Sequence, residues 1–415
     1  MIEHPKTWQM RILEEVAHVQ TGLAKGKTEL KDAVTMPYLR VANVQDGFLD
    51  LSEIKSIQVA RGDLARYRLR RNDVLLTEGG DLDKLGRGSI WNAQIDPCLH
   101  QNHVFVVRTN ADILRPEFLA LLTASPYGRR YFLGCAKQKT NLASINSTQL
   151  KQFPVFLPPI REQNTISSLF AVWDTGAEIL AARLKEAQSR KGGLMQQLLT
   201  GRKRFKEFVG ESWRFVRIDS LLEPSDRYVS WSDDVTYRFA SIRRRSCGLF
   251  DRGTFFGHEV KTKVLKLLKA GDFLIFKRQV VHGAWGMVPE PFAGFGVSDE
   301  YDVLVNRSAR VLDLRFFNYL SQTRRLWNMA YLASNGVHIE KLIFNFDDFA
   351  KERIKIPSSV EEQGRIVGVL ETCDREIELL QKQLAAMKEQ KRGLMQKLLT
   401  GEIRVKAKPR TTPEK

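Results

Sequence analysis

The apolar positions of this 415-residue chain follow two patterns that alternate twice. From residue 166 to 198 they recur by threes and fours, at Ile166, Phe170, Trp173, Ala177, Leu180, Leu184, Ala187, Leu194 and Leu198. The same spacing returns at Ile366, Leu370, Cys373, Ile377, Leu380, Leu384, Met387, Leu394 and Leu398. Single apolar positions at that period predict a heptad seam rather than a broad amphipathic stripe. Each run follows a proline-bearing strand end, FPVFLPP at 153–159 and IKIPSS at 354–359. Proline stops a strand ladder but suits the start of a helix. Each run closes on Thr-Gly, at 200–201 and 400–401, and glycine ends helices. A helix from about Thr165 to Thr200 is ~50 Å long at ~1.5 Å per residue, and its seam would stay wet alone. The other run, equal in length and pattern, is the expected partner.

The two runs are copies of one another. GLMQQLLTG at Gly193–Gly201 returns as GLMQKLLTG at Gly393–Gly401, an offset of 200. The same offset aligns Glu162-Gln163 with Glu362-Gln363, Asp174 with Asp374, and Lys191 with Lys391. The segments before each run, 1–155 and 206–355, read as mixed strand and helix and also correspond. Each opens on a tryptophan (Trp8, Trp213), then a strand ending in a glycine turn (Gly47, Gly248). An aspartate before a β-rich run follows (Asp73, Asp272), then a Gly-studded loop and a Phe/Leu-rich helix, RPEFLALLT or LRFFNYLSQ. The loops themselves differ: EGGDLDKLGRGSIW is acidic, KRQVVHGAWGMV is not. One frame with unlike loops suits two domains that read different targets.

Composition then narrows the class. Lys and Arg number 65 against 48 Asp and Glu, giving +17 and a pI near 9.7. A surface that basic binds phosphate backbones by releasing counterions, although ribosome-bound and membrane-surface proteins are basic too. No apolar run approaches a membrane span, and MIEHPKTWQM carries no signal-peptide stretch, so a cytoplasmic location is expected. Cys98, Cys135, Cys247 and Cys373 stand far apart, which implies a reducing compartment and no structural zinc.

The order domain, helix, domain, helix resembles the specificity subunit of type I restriction-modification systems. The signatures are P-P-x-x-E-Q (Pro158, Pro159, Glu162, Gln163) and the repeated L-M-Q-x-L-L-T-G. The second helix start departs from the pattern, keeping Pro357, Glu362 and Gln363 without the double proline. The resemblance spans nearly the whole chain. It implies an α+β fold in which two mixed α/β target recognition domains, 1–155 and 206–355, are joined by two long helices. These spacer regions, 156–205 and 356–405, would form an antiparallel coiled coil with internal pseudo-two-fold symmetry, ahead of a disordered tail at 406–415. Each recognition domain would read one half of a bipartite, asymmetric site on double-stranded DNA, and the coiled coil would set the gap. The ~50 Å helix matches roughly 15 base pairs at ~3.4 Å each. Methylation subunits, two of them, would dock around the helices and restriction subunits would join the larger assembly. The chain itself would be non-catalytic, with no cofactor, no metal and no membrane partner.

Catalytic motifs are accordingly expected to be missing. GLAKGKT at Gly22–Thr28 has three residues between its glycines where a phosphate-binding loop needs four. Pro158-Pro159 lacks the flanking Asn or Asp and the aromatic of an amino-methyltransferase site. Asp50, Glu53 and Lys55 fit surface charge better than a nuclease cluster. His100 and His103 are the closest histidine pair and read as loop or DNA-facing. Two other function classes remain distinguishable: a nuclease or methylase acting alone, and a repeat-built scaffold whose basic faces bind RNA or acidic proteins. Methylation by the chain alone would mark the first; weak salt dependence or single-strand preference would mark the second.

Arg and Lys read guanine, Asn and Gln read adenine, and basic side chains hold phosphate. In the first domain that points to Lys25 and Lys27, to Arg40, Asn43 and Gln45 before the Gly47 turn, to Lys84 and Arg87, and to Lys137, Lys139 and Asn141. In the second it points to Arg243, Arg244 and Arg245 before Gly248, to Lys277, Arg278 and His282, and to Asn335 and His338. The spacer seam is assigned to Ile166, Trp173, Leu180, Leu184, Leu194 and Leu198, and to Ile366, Ile377, Leu380, Leu384, Leu394 and Leu398.

Overall fold

The computed structural model describes residues 5–24, 32–81, 85–139 and 142–405. Lys25, Lys27, Lys84, Asn141 and the tail from 406 lie outside the described residues. The chain forms two compact units, Met1–Ala182 with Gln381–Lys415, and Arg183–Leu380. The first long helix, Ile160–Leu198, thus gives its first part to one unit and its last part to the other, and Val360–Leu399 does the reverse.

In the first unit a four-stranded antiparallel sheet runs in the order Ala17–Gln20, Val104–Thr109, Val74–Thr77, Gly88–Ile90. In the second unit the matching order is Leu222–Pro224, Tyr301–Asn306, Phe273–Phe276, Trp285–Met287. A further sheet pairs Ala33–Leu39 antiparallel with Lys55–Ala60 and parallel with Leu99–His100. Its counterpart pairs Thr236–Ile242 antiparallel with Leu249–Phe256 and parallel with Gly296–Val297. Finally Gln9–Ile12 lies against Pro154–Leu157, as Trp213–Arg217 does against Arg353–Pro357. The two recognition segments therefore share one topology, as their matched tryptophans, turns and aspartates predict.

Each core is closed by parts of both long helices. Phe118, Leu119 and Leu122 of the helix Pro116–Ala124 pack with Ile166 and Phe170 and with Met395, Leu398 and Leu399. The counterpart core gathers Phe316, Phe317, Ile366 and Leu370 with Leu198 and Leu199. Burying a side chain of this size contributes about 1.5–3 kcal/mol. Both helices start earlier than the heptad pattern alone predicts: the first immediately after Pro159, whose carbonyl accepts the N–H groups of Glu162 and Gln163, and the second at Val360, where the Ser359 carbonyl accepts Gln363 N–H. No helix among the described residues is long and apolar enough to cross a membrane.

Candidate nucleic-acid interface

The Glu-Gln pair that starts each helix is a clamp. Gln163 is fully buried; its carbonyl oxygen accepts Arg115 N–H at 2.8 Å, and its amide donates to Ile113 and Pro158 carbonyls, both at 2.9 Å. Gln363 repeats this with Asp313 N–H at 2.8 Å and the Val311 and Pro357 carbonyls at 3.0 and 3.2 Å. The glutamate alongside faces the far end of the other helix. Glu162 accepts Arg404 Nε and Nη2, each at 2.7 Å, and the Trp8 indole N–H at 3.2 Å. Glu362 accepts Arg204 Nε and Nη2 at 2.8 and 2.6 Å and the Trp213 indole at 3.3 Å. The carboxylate hydrogen bonds raise the pKa of both guanidinium groups further above its ordinary value. Gly201 and Gly401 precede these arginines with φ of 71° and 78°. A Cβ there would meet Trp213 at 3.2 Å or Pro5 at 2.3 Å, so glycine is needed for space as well as for backbone.

Within each unit the helix parts run antiparallel, since rising numbers on one meet falling numbers on the other. In the first, Glu162 meets Arg404 and Asp174 meets Lys391. In the second, Glu362 meets Arg204, Asp374 meets Lys191 at 2.6 Å, and Glu376 meets Arg190. The Asp and Lys conserved between the copies are thus each other's cross-helix partners. Ile166, Phe170, Ala187 and Leu198 are buried along the first seam, and Trp173, Ala177, Leu180, Leu184 and Leu194 half-buried. Ile366, Leu370, Cys373 and Leu398 are buried in the second, and Ile377, Leu380, Leu384, Met387 and Leu394 half-buried.

The loops expected to read DNA come together in each unit. In the first, Gly47 N–H donates to the Gly88 carbonyl at 3.0 Å and Arg87 donates to Gln45 Oε1 at 2.9 Å. Strand Leu142–Ser144 pairs with Gly79–Asp81 on one side and with Lys137–Lys139 on the other, which brings that segment to the Gly-rich loop. In the second, Arg245 and Ser246 N–H groups donate to the His282 and Gly283 carbonyls, both at 2.7 Å. Phe344 N–H donates to the Lys277 carbonyl at 3.0 Å, drawing in the strand pair Ser334–Asn335 and Ile343–Phe344. Three separated sequence stretches therefore meet at corresponding places in both units.

Individual side chains fare differently. Arg243, Arg244, Arg245, Arg278, Asn335 and His338 are exposed. Arg244 lies 3.6 Å from Glu340, which is also 3.5 Å from His282 Nε2. Arg278 is paired to Glu300, and half-buried Lys277 lies 3.9 Å from Asp302. Arg40 sits half-buried, 3.5 Å from Glu53. Asn43 is not available to a base: it is 3% exposed, and its amide donates to the Asp50 and Glu53 carbonyls at 2.9 and 3.0 Å. It folds the turn instead. The DNA-facing reading of His100 also gives way, because this ring is fully buried and its Nδ1–H donates to the Val104 carbonyl at 2.8 Å. Burial pushes its pKa down to about 4. His103 remains on the surface against Glu78 at 2.6 Å. Among the residues missed by sequence reasoning, Arg204 and Arg404 were visible as a shared Gly-x-x-Arg ending. Glu340 carried no such signal.

Comparison with known proteins agrees with this architecture. Residues 5–189 match the sequence profile of the type I restriction modification DNA specificity domain. A Methanocaldococcus jannaschii protein named as the type I restriction enzyme MjaX specificity subunit is 26% identical, over 97% of this chain and 95% of its own. The type I restriction enzyme EcoKI specificity subunit of Escherichia coli K12 is 27% identical, over 48% of this chain and 42% of its own. Among solved structures, a chain from a type I restriction-modification complex superposes with a TM-score of 0.62 at 16% identity, covering 97% of this chain and 100% of that one. The type I restriction-modification system S subunit from M. genitalium gives 0.53 at 11% identity, over 94% and 96% of the two chains. With its two copies of one recognition fold and one helix clamp, the chain is similar in sequence and in fold to the specificity subunits of type I restriction-modification systems.

Proposed function

We propose that this chain selects the DNA sequence on which a type I restriction-modification complex acts. Its recognition domains, 1–155 and 206–355, each read one half of a bipartite, asymmetric site on double-stranded DNA, and the helix regions 156–205 and 356–405 set the gap. Methylation subunits dock on the helices, restriction subunits complete the assembly, and the chemistry resides in those partners. The observation that carries this reading is a repeated frame bearing unlike loops. Gly47 and Gly248 turn at φ of 84° and 77° in matched places, yet Gln45 and Asp46 precede the one and Arg243–Arg245 the other. Identical loops would read a symmetric site; these cannot.

The reading surface we propose comprises Gln45, Arg87, Lys137 and Lys139 in the first domain, with Lys25, Lys27, Lys84 and Asn141. In the second it comprises Arg243, Arg244, Arg245, Asn335 and His338, with Arg278 and His282 released from their carboxylates on binding. The test is competition binding by the chain with its methylation partner. Retention of one split duplex over the same half-sites with an altered gap is expected, with affinity falling steeply in salt. Equal retention of all spacings would overturn the proposed gap-setting role.

A further inference from the structure

The first unit holds a groove of about 650 Å³ between its recognition segment and the helix parts. The second unit shows what belongs in such a place. Gln163 and Gln363 bind the backbone at Arg115 and Asp313, and Ser125 and Thr323 cap the following helices, so the two Phe/Leu-rich helices align residue by residue. Leu121 then matches Tyr319, Ala120 matches Asn318, and Ala124 matches Gln322; the helix repeat matches Ala171 with Glu371. All four smaller residues line the groove. In the second unit Tyr319 takes the corresponding place: it is 6% exposed, its hydroxyl donates to Asp374 at 2.6 Å, and Lys191 lies 5.3 Å from its ring centroid. Asn318 beside it accepts Met287 N–H at 3.0 Å.

The groove keeps the recognition elements without the ring. Asp174 and Lys391, the repeat partners of Asp374 and Lys191, both border it and pair with each other. We infer that the groove is a docking slot for a tyrosine side chain presented by a protein partner. The phenol hydroxyl donates to Asp174 and the ring lies under Lys391, as Tyr319 does within its own unit. The Asp174 carboxylate accepts from a neutral hydroxyl, in a groove bordered also by the Gly47 and Gly88 loops and by Arg129, Lys388 and Arg392. The volume admits the ring with its flanking residues. The inference rests on the proposed docking of a methylation partner only for the identity of that partner.

The probe is p-cresol, the tyrosine side-chain analogue, added to the full chain with 13C-methyl methionine. Met395 lines the groove and reports occupancy. A saturable shift of its methyl signal is expected, with toluene binding about tenfold more weakly for want of the hydroxyl. Leu121→Tyr should abolish the response by filling the slot from within, and Asp174→Asn should weaken it without disturbing the core. Tyr319→Leu should create a second response, read at Met287. An unresponsive Met395, or an undiminished response in Leu121→Tyr, overturns the slot. In the complex with a methylation subunit the response should vanish; its persistence in a formed complex overturns the protein occupant. Failure of that complex to form counts against the proposed function, while the isolated chain still reads the slot.

Discussion

Arg404 closes on Glu162 with two parallel hydrogen bonds of 2.7 Å, across 242 residues of chain. Arg204 and Glu362 repeat the bond in the other unit, with the carboxylate 1% exposed rather than 5% and the guanidinium 16% rather than 43%. Removing one member of a buried pair strands the other charge, which costs about 3–5 kcal/mol when the site is dry. Arg204→Ala should therefore destabilise by about 3 kcal/mol and Arg404→Ala by less, because water reaches the latter's place. Urea unfolding of the two variants checks the order; equal losses would show that burial does not govern this clamp.

Gly176 offers an opposite expectation. A Cβ added there would come within 2.6 Å of the terminal methyl of Met387, the free end of a flexible side chain. Rotation of Met387 relieves the crowding, and alanine gains up to about 1 kcal/mol of helix propensity over glycine. Gly176→Ala should leave stability unchanged or raised by thermal unfolding. Gly201→Ala, at φ 71° against the Trp213 ring, should lower it.

His100 predicts an acid-side dependence. Its folded pKa of about 4 lies below the ordinary 6.5, so the unfolded chain takes up a proton first as pH falls. Stability is then constant above about 6.5, declines between about 6.5 and 4, and flattens below, for a total of at most about 3 kcal/mol. His100→Leu forfeits the Val104 hydrogen bond but should remove this slope. Denaturation midpoints at pH 7, 5.5 and 4.5 compare the two; an unchanged slope would place its origin elsewhere.

For DNA, Arg245 and Glu340 should act in opposite senses. Arg245→Ala removes an exposed cation from the loop meeting point of the second unit, with an expected loss of about 1–3 kcal/mol if it reaches a base edge. Glu340→Gln frees Arg244 and His282 from a competing carboxylate, so affinity should rise for cognate and unrelated duplexes alike. Titration of both variants against a site altered in one half separates base reading from phosphate attraction.

Much of the architecture was legible because it is written twice. The heptad positions from Ile166 to Leu198 and from Ile366 to Leu398 mark the seam, since period depends only on spacing. The offset of 200 paired Asp174 with Asp374 and Lys191 with Lys391, although only the antiparallel fold shows that Asp174 bonds Lys391. The candidate interface was less legible. Sequence places Asn43 and Gln45 two residues apart in one turn, yet the first points inward to close Asp50 and Glu53 while the second meets Arg87. That choice is made by tertiary hydrogen bonding, which residue type does not encode. His100 and His103 divide in the same way, one buried against the Val104 carbonyl and one on the surface beside Glu78.

The core of the first unit is sealed by Met395, Leu398 and Leu399, close to the last described residue. Residues 183–380 of the other unit are all made before these three emerge. During synthesis the N-terminal recognition segment must therefore wait, its helix face open, while the later unit assembles. Chains stalled so that residue 380 has just cleared the ribosome should carry a folded second unit and a protease-sensitive first one, so that the part of the protein made first matures last.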